Sequence, residues 1–484
     1  MEDRLQCQIE PEPLPQRWAV LAIFSLATLL NANAWIMFAP ISSIVQDQYN
    51  VSAFAVDSLS MVFMGVYIIF AVPALRVMET SGVRGGILVG SALTALGGWL
   101  RFFIKGYFGI IFGQTVISFG QLPLLGAPPL VSATWFGASE WAFATAIGVL
   151  ANQAGGALAY LISPRAVTAT GSELDQYLMY QASACTIVFI LACFIPTKPP
   201  VPASYASAES QRGKAAGETS WGEFVYTTRA DIASFLMSQS GALLSVSYGI
   251  AVGVFYTIST LLESIAAPLN APGPTIGNAG FVMGVVGLVG SIAVGLFLDR
   301  TRLHKESLTG LLFLSAISMA GLSLADATKS VTLLYLAVGA IGFFLTGVLP
   351  AGFELAAEVS YPTPEDSVAV VLNISSQIFG IIFIAGASVL TLSPELVVWT
   401  LVVALFVGAM LSAMIQGEHR RQAAQDNALL VSDGDRPTLL PSTDGSTTTD
   451  ENQQTRRSQE NRPPLVLSDS EYVYGGIVNP LPLC

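Results

Sequence analysis

Residues 278–298 read NAGFVMGVVGLVGSIAVGLFL, and no side chain in this run carries a charge. A helix of about 20 residues is about 30 Å long, which matches the thickness of the hydrocarbon core of a bilayer. Asp299 and Arg300 follow at once, so charge returns where such a helix would reach the membrane surface. Similar runs recur along the chain, and the sequence therefore predicts a protein that crosses a membrane many times.

The composition supports this prediction. Of the 484 residues, 52% are hydrophobic and 11% are charged, whereas soluble proteins average about 25% charged residues. The mean hydropathy is +0.61. A transmembrane β-barrel is not expected, because its strands would alternate over about ten residues instead of forming long apolar runs.

The charge and the cysteine spacing disfavour several classes of partner and cofactor. The formal net charge is −12 and there is no basic patch, so no nucleic-acid partner is expected. The four cysteines have neither disulfide nor zinc-site spacing, and we expect no metal and no other cofactor. The chain contains no nucleophile–base motif and no phosphate-binding glycine loop, so an enzyme is not expected.

Twelve spans are predicted, which gives an all-α membrane protein with both termini on one side. They cover residues 18–40, 56–78, 84–104, 108–132, 139–164, 177–195, 232–264, 278–298, 306–325, 330–354, 365–391 and 395–416. Thirteen Lys or Arg residues fall on the side of the termini, against four on the other side: Arg101, Lys105, Arg165 and Lys329. Positively charged loops stay in the cytosol, so the termini are predicted to be cytosolic.

The spans form two groups of six. The predicted organisation is a cytosolic N-terminus 1–17, an N-terminal half 18–195, a cytosolic linker 196–231, a C-terminal half 232–416 and a disordered cytosolic tail 417–484. Short basic loops follow spans 2 and 8, and proline and amide residues recur at corresponding depths of the two halves, which indicates parallel half-repeats around a cavity. This organisation resembles the major facilitator superfamily.

The polar residues at depth indicate what such a cavity binds. The predicted spans carry no Lys, Arg or His near their centres, which disfavours an organic anion, proton coupling and haem ligation by histidine. Neutral amides and aromatic rings suit a small polar or cationic solute, since each aromatic face binds a quaternary ammonium by about 0.5–2 kcal/mol. The candidate substrate-binding residues are Asn33, Trp35, Gln121, Asn152, Tyr248, Tyr256, Asn373 and Gln377.

Charged residues near the ends of spans are candidates for gates or for structural support. Ionisable groups within a membrane pair with one another or face a polar interior, which suits such roles. The candidates are Asp57, Glu140, Asp299, Arg300, Glu354 and Glu358.

Several motifs carry a more specific resemblance. They are Asn31-Ala-Asn-Ala-Trp35-Ile, Asp57-Ser-Leu-Ser-Met-Val-Phe, Trp135-Phe-Gly, Ala146-Ile-Gly-Val-Leu-Ala-Asn-Gln153, Phe255-Tyr-Thr-Ile-Ser-Thr-Leu-Leu262, Leu349-Pro-Ala-Gly-Phe-Glu354 and Asn373-Ile-Ser-Ser-Gln377-Ile-Phe-Gly380. Together they resemble the feline leukaemia virus subgroup C receptor family of the major facilitator superfamily. The resemblance covers roughly residues 17–414, which is the whole membrane body.

The resemblance implies a facilitator fold and transport of choline or ethanolamine. Haem export is also attributed to the family, and one branch is linked to pyridoxine. The resemblance further implies that Trp35 and Tyr256 form an aromatic cage around the substrate and that Gln121 and Gln377 line the pocket. The sequence departs from the family at Trp141, which stands where the family usually has the Arg of Glu-Arg-Ala, and the gating ion pair of that Arg loses its cation here.

The resulting hypothesis is facilitative uniport of choline or a related organic cation by alternating access. The alternatives are a haem exporter or a pyridoxine-like vitamin transporter of the same fold and, more remotely, a membrane receptor or sensor without transport. We expect a monomer in the plasma membrane or in an endosomal or lysosomal membrane. Its partners would be the lipid bilayer and the small-molecule substrate.

Overall fold

The computed structural model describes residues 14–137, 140–168, 171, 173–197, 199, 220–361 and 363–416, with only the backbone of residue 79. Within them, twelve helices are long and apolar enough to cross a membrane, which confirms the predicted number. Spans 1 to 6 are Gln16–Tyr49, Ala53–Met78, Thr80–Phe103, Tyr107–Gly126, Trp141–Ala166 and Leu174–Cys193. Spans 7 to 12 are Gln239–Leu269, Gly273–Thr301, His304–Thr328, Val331–Ser360, Glu365–Val389 and Pro394–Ala413.

The two ends of the bundle are named here by the path of the chain. Span 1 begins and span 12 ends at the terminal side, and odd-numbered spans end at the far side. The predicted N-terminus up to residue 13, most of the predicted linker and the predicted tail from residue 417 lie outside the described residues. The domain boundaries and the cytosolic position of the termini therefore stay predictions.

Span 1 is interrupted in its second half. One helix covers Gln16–Ile36, a 3-10 turn covers Ala39–Ile41 and a second helix covers Ser42–Tyr49. Pro40 lies in the turn and has no N–H to donate to the carbonyl of Ile36, so regular helical hydrogen bonding cannot continue through this point. The last carbonyl groups of the first helix therefore need other donors.

Spans 2 and 3 follow each other closely, and Gly82 makes the turn between them possible. Its backbone has φ 66° and ψ −174°, a conformation open to glycine and costly for other residues. Span 3 then continues to Phe103, so Arg101 belongs to the helix and is only 2% exposed. The predicted span 84–104 also contains Arg101 near its far-side end, but the burial of its guanidinium among polar partners inside the bundle is not expected from the sequence.

Span 7 begins later than predicted. The sequence predicts a start at residue 232, but the span begins at Gln239, after a break at Ser238. Ser238 has extended backbone angles, and its hydroxyl accepts a hydrogen bond of 3.0 Å from the N–H of Gly241, which caps the new helix.

The residues before this break form a separate helix, Trp221–Met237, called the linker helix below. It buries Phe224 and Phe235 and packs against spans 2, 7 and 11. The guanidinium of Arg76, at the terminal side of span 2, lies 5.2 Å from the centre of the Phe224 ring. The linker helix therefore contacts both six-helix halves.

Spans 5 and 8 approach each other through their backbones. A Cβ added to Gly280 would lie 2.2 Å from the ring of Tyr160, and one added to Gly284 would lie 2.5 Å from the Cβ of Ala157. A Cβ on Gly277 would lie 2.5 Å from the carbonyl oxygen of Tyr160. We call these three glycines the glycine seam, and they let the two halves meet closely on the far side of the bundle.

Replacing Gly280 with alanine is expected to destabilise this fold, because the new methyl group collides with the Tyr160 ring. Overpacking of this kind costs about 1–3 kcal/mol, which should lower the midpoint of thermal unfolding of the purified protein by several degrees. Gly295→Ala on the same span is the matched control, since nothing lies within 4 Å of a Cβ at that position. Equal midpoints for the two variants would contradict the close packing of the seam.

Candidate substrate-binding site

The aromatic pair predicted from the sequence is in contact. The rings of Trp35 and Tyr256 have their centres 5.4 Å apart and meet edge to face at 78°. Both side chains are half-buried, and they come from span 1 and span 7, hence from different halves. The Tyr256 hydroxyl lies beside the side chains of Ser376 and Gln377 of span 11. The structure thus brings together Trp35, Tyr256 and Gln377, and we call these three residues the cage.

A small cavity adjoins the cage between spans 1, 5, 7, 8 and 10. Its walls include Trp35, Gln153, Tyr160, Phe255, Met283 and Thr346. The cavity volume is about 30 Å³, which holds about two water molecules. An organic solute can therefore occupy it only after the surrounding side chains or the two halves have moved.

The predicted asparagines take different positions around the cage. Asn152 donates to the hydroxyl of Thr28 at 3.0 Å, which links spans 5 and 1 within one half. Asn373 of span 11 lies beside the hydroxyl of Tyr67 of span 2, and so contacts the other half. These amides hold helices together in this conformation, which is a common use of amide side chains in membranes.

The described hydrogen bonds and ring contacts of the remaining candidate binding residues are made with partners other than Trp35 and Tyr256. Asn33 is buried and donates to the carbonyl of Gly155 at 3.3 Å, so it also links spans 1 and 5. Tyr248 is fully buried, and its ring packs against Phe353 of span 10 with 5.6 Å between centres. Gln121 is half-buried on span 4.

Hydrogen bonds join the two halves on the far side. Glu263 of span 7 accepts from the hydroxyl of Ser43 at 2.5 Å and from its N–H at 3.2 Å. The guanidinium of Arg165 donates to the amide oxygen of Asn278 at 2.5 Å, beside the glycine seam. The hydroxyl of Tyr160, whose ring contacts the seam, donates to the carbonyl of Ser259 of span 7. These contacts, together with the seam, close the far side of the bundle.

This arrangement of two six-helix groups around a central cavity is that of a known superfamily, and the chain matches its family model. The model of the Major Facilitator Superfamily matches residues 24–384. The chain belongs to this superfamily. Its predicted fold is thereby confirmed, and the chain is a multi-pass membrane transporter, a class without enzymatic activity.

Relatives define the group within the superfamily. The choline/ethanolamine transporter flvcr2a of Danio rerio is 34% identical over 426 residues, which are 84% of this chain and 88% of that protein. The choline/ethanolamine transporter FLVCR1 of Felis catus is 33% identical over 437 residues, 85% of this chain and 76% of that protein. For the choline/ethanolamine transporter FLVCR2 of Homo sapiens, the identity is 32% over 437 residues, 86% of this chain and 80% of that protein. The resemblance drawn from the motifs is thereby confirmed.

The gating candidates lie at both ends of the bundle. On the far side, Asp57 of span 2 accepts a hydrogen bond of 2.5 Å from Ser388 of span 11, which joins the halves. On the terminal side, Glu140 pairs with Arg17 at 3.2 Å within the N-terminal half. Arg17 thus supplies a cation beside Glu140, next to the position where Trp141 replaces the usual arginine of the family motif.

The other gating candidates lie at the terminal ends of spans 8 and 10. Asp299, Arg300 and Glu354 are exposed there. Glu358 has one buried carboxylate oxygen without a hydrogen-bond partner among the described residues. The structure does not bring these four residues to the cage.

Sequence reasoning did not assign Ser43, Glu263, Arg165 and Asn278 to the far-side closure. A usable signal existed, because Glu263 and Arg165 are charged residues at the ends of spans that are predicted to finish on the same side. What the sequence alone does not provide is the partner of each charge, since the partners are short polar residues in distant parts of the chain.

Removing the Glu263 carboxylate is expected to loosen the far-side closure. In a cysteine-free background carrying Ser259→Cys, Glu263→Ala should raise the rate of labelling by a membrane-impermeant maleimide on the far side about threefold, because exposed pairs contribute about 0.2–1 kcal/mol. Glu395→Ala is the control, since Glu395 is an exposed carboxylate on the same side. Equal labelling rates in the two variants would show that the Glu263 contacts do not hold this end closed.

Proposed function

We propose that this facilitator carries choline or a related small organic cation such as ethanolamine by alternating access. The observation that carries the proposal is the contact between Trp35 and Tyr256 at the cavity, with 5.4 Å between ring centres. The relatives named above are choline/ethanolamine transporters, which supports the same class of solute. Haem and a pyridoxine-like vitamin are the alternatives that an experiment must separate from it.

The chemistry of the cage suits a cation that also bears a hydroxyl group. A quaternary ammonium has no N–H to donate, so it is held by the negative faces of aromatic rings, each contributing about 0.5–2 kcal/mol. Ser376 and Gln377, beside the Tyr256 hydroxyl, can bind the hydroxyl at the other end of the solute. If the two rings separate to enclose a cation, their contacts with the cation replace their edge-to-face contact with each other.

The division of the cage between the halves links binding to transport. Trp35 belongs to span 1 and Tyr256 to span 7, so a solute between them contacts both halves at once. A ligand shifts a conformational equilibrium only by its difference in affinity between the states, and a split site supplies such a difference. We infer that this conformation is the one closed on the far side and that the solute exchanges with the terminal side.

We propose that transport is not coupled to protons. The carboxylates that contact the other half, Asp57 and Glu263, lie at the far-side closure and not at the cage. Moving one positive charge through a membrane potential changes its free energy by about 2.3 kcal/mol per 100 mV, so uptake should follow the membrane potential. Accumulation of choline against its gradient, driven by acid on one side, would contradict uniport.

We further propose that the terminal side faces the cytosol and that the protein acts as a monomer in the plasma membrane or an endosomal or lysosomal membrane. The excess of Lys and Arg on the terminal side supports this orientation. An epitope tag at the N-terminus should be reached by antibody only after the cells are permeabilised. A tag inserted after Asn50, on the far side, should be reached in intact cells if the protein is at the surface.

The decisive experiment is uptake of radiolabelled choline by cells expressing the protein, compared with Trp35→Ala at equal abundance in the same membrane. Loss of one aromatic face should raise the apparent KM about tenfold. Trp399→Ala is the matched control, because Trp399 is 45% exposed on span 12. It should transport like the unchanged protein.

Two outcomes would contradict the proposal. Absence of choline and ethanolamine uptake by the unchanged protein, present in the assayed membrane, would reject the solute class and direct the assay to haem and pyridoxine. Saturable choline uptake that is equally strong in Trp35→Ala would retain the solute and reject the cage.

A further inference from the structure

Arg101 is a buried cation whose partners are amide groups. Its side chain is 2% exposed, and its guanidinium donates to the side-chain oxygens of Gln114, at 2.8 Å, and of Gln181. It also lies 3.2 Å from the sulfur of Met37 and 5.7 Å from the centre of the Phe38 ring. No carboxylate pairs with it among the described residues, and burial of an arginine without such a partner is unfavourable.

The hydrogen bonds of Arg101 form a network with two arms, one through Gln114 and one through Gln181. The first arm, through Gln114, reaches the end of the first helix of span 1. Arg101 occupies the side-chain oxygen of Gln114, which leaves the amide nitrogen of Gln114 to face span 1. That nitrogen lies 2.9 Å from the carbonyl oxygen of Ala34 and 3.4 Å from that of Trp35. Both carbonyl groups belong to the last turn of the first helix, which ends at Ile36, and the last carbonyl groups of a helix lack partners within it.

The second arm reaches the same segment from the other side. Arg101 occupies the side-chain oxygen of Gln181, and the amide nitrogen of Gln181 donates to the oxygen of Asn33 at 3.2 Å. The nitrogen of Asn33 then donates to the carbonyl of Gly155 in span 5 at 3.3 Å. Each amide in this chain is oriented by the previous one, and Arg101 orients the first.

We propose that Arg101 is a positioning residue for the cage, which it controls through Gln114 and Gln181. Both arms converge on residues 33–35, so the guanidinium fixes the backbone that carries the Trp35 ring. The ring is thereby held where it meets Tyr256. This inference rests on the proposed function, because it assigns Arg101 a part in holding the cationic solute.

The geometry of the guanidinium decides which substitution is informative. Arginine donates to both glutamines at once through a planar fork, whereas lysine keeps the charge but has a single ammonium group. Arg101→Lys therefore tests the orientation of the two amides without leaving a large cavity. Arg84→Lys is the matched control, because Arg84 lies on the same span and donates to Thr197 and to the carbonyl of Cys193, away from span 1.

The first measurement is choline affinity of the purified full-length protein. Arg101→Lys should weaken binding about tenfold, which is typical of residues coupled through one hydrogen-bond network, and Arg84→Lys should leave it unchanged. A simple loss of folded protein would lower the number of binding sites without changing the dissociation constant of the rest. Unchanged affinity in Arg101→Lys would overturn the proposal.

A double-mutant cycle separates positioning from a general structural role. In a Trp35→Leu background the aromatic face is absent, so Arg101→Lys should weaken choline binding less than about twofold. The same tenfold loss in both backgrounds would mean that Arg101 does not act through Trp35, and the proposal would fail.

Hydrogen exchange provides a readout that does not depend on the solute. In Arg101→Lys, the amides of a peptide covering residues 33–41 should exchange faster than in the unchanged protein, while Arg84→Lys should not alter them. If the unchanged protein does not bind choline, the proposed function fails, but faster exchange here would retain the link from Arg101 to span 1. Unaltered exchange would reject that link whatever the solute.

Discussion

The break in span 1 is the constraint on which the central part of this structure depends. Lipid supplies no hydrogen bonds, so each backbone group freed inside a membrane must find a partner within the protein. Pro40 ends regular helical bonding after Ile36, and the carbonyl groups of Ala34 and Trp35 then receive donors from Gln114. A polar network is therefore present where hydropathy favours apolar packing, and it lies directly behind a residue of the cage.

The two halves are joined by contacts of two kinds. Around the cage, aromatic and amide side chains from spans 1, 2, 7 and 11 meet beside a cavity of about 30 Å³. On the far side, hydrogen bonds of Glu263 and Asp57 combine with the backbone contact of spans 5 and 8. The bond between Glu263 and Ser43 is individually weak, because Ser43 is exposed. The free energy that holds the far side closed is therefore divided among several weak contacts. This division suits a transporter that must open again.

Much of the fold could be predicted from the sequence, because long apolar runs report membrane spans directly. The number of spans follows from hydropathy, and the aromatic pair Trp35 and Tyr256 follows from motifs. The burial of Arg101 could not be predicted in this way, since a positive charge near the end of a span is expected at the membrane surface whenever its partners are unknown. The linker helix was missed for a related reason. Its residues follow a Pro- and Ser-rich stretch, and that stretch dominates the average composition of the predicted linker.

The glycine seam has a consequence for the entropy of closure. Side chains with several torsions lose rotamer freedom when they pack, by as much as about 2 kcal/mol for the longest ones, whereas glycine has none to lose. Spans 5 and 8 meet through Gly277, Gly280 and Gly284, so their contact immobilises few torsions on the side of span 8. In the proposed alternating access, the surface of span 8 that faces span 5 therefore loses little side-chain rotamer freedom each time the two halves come together.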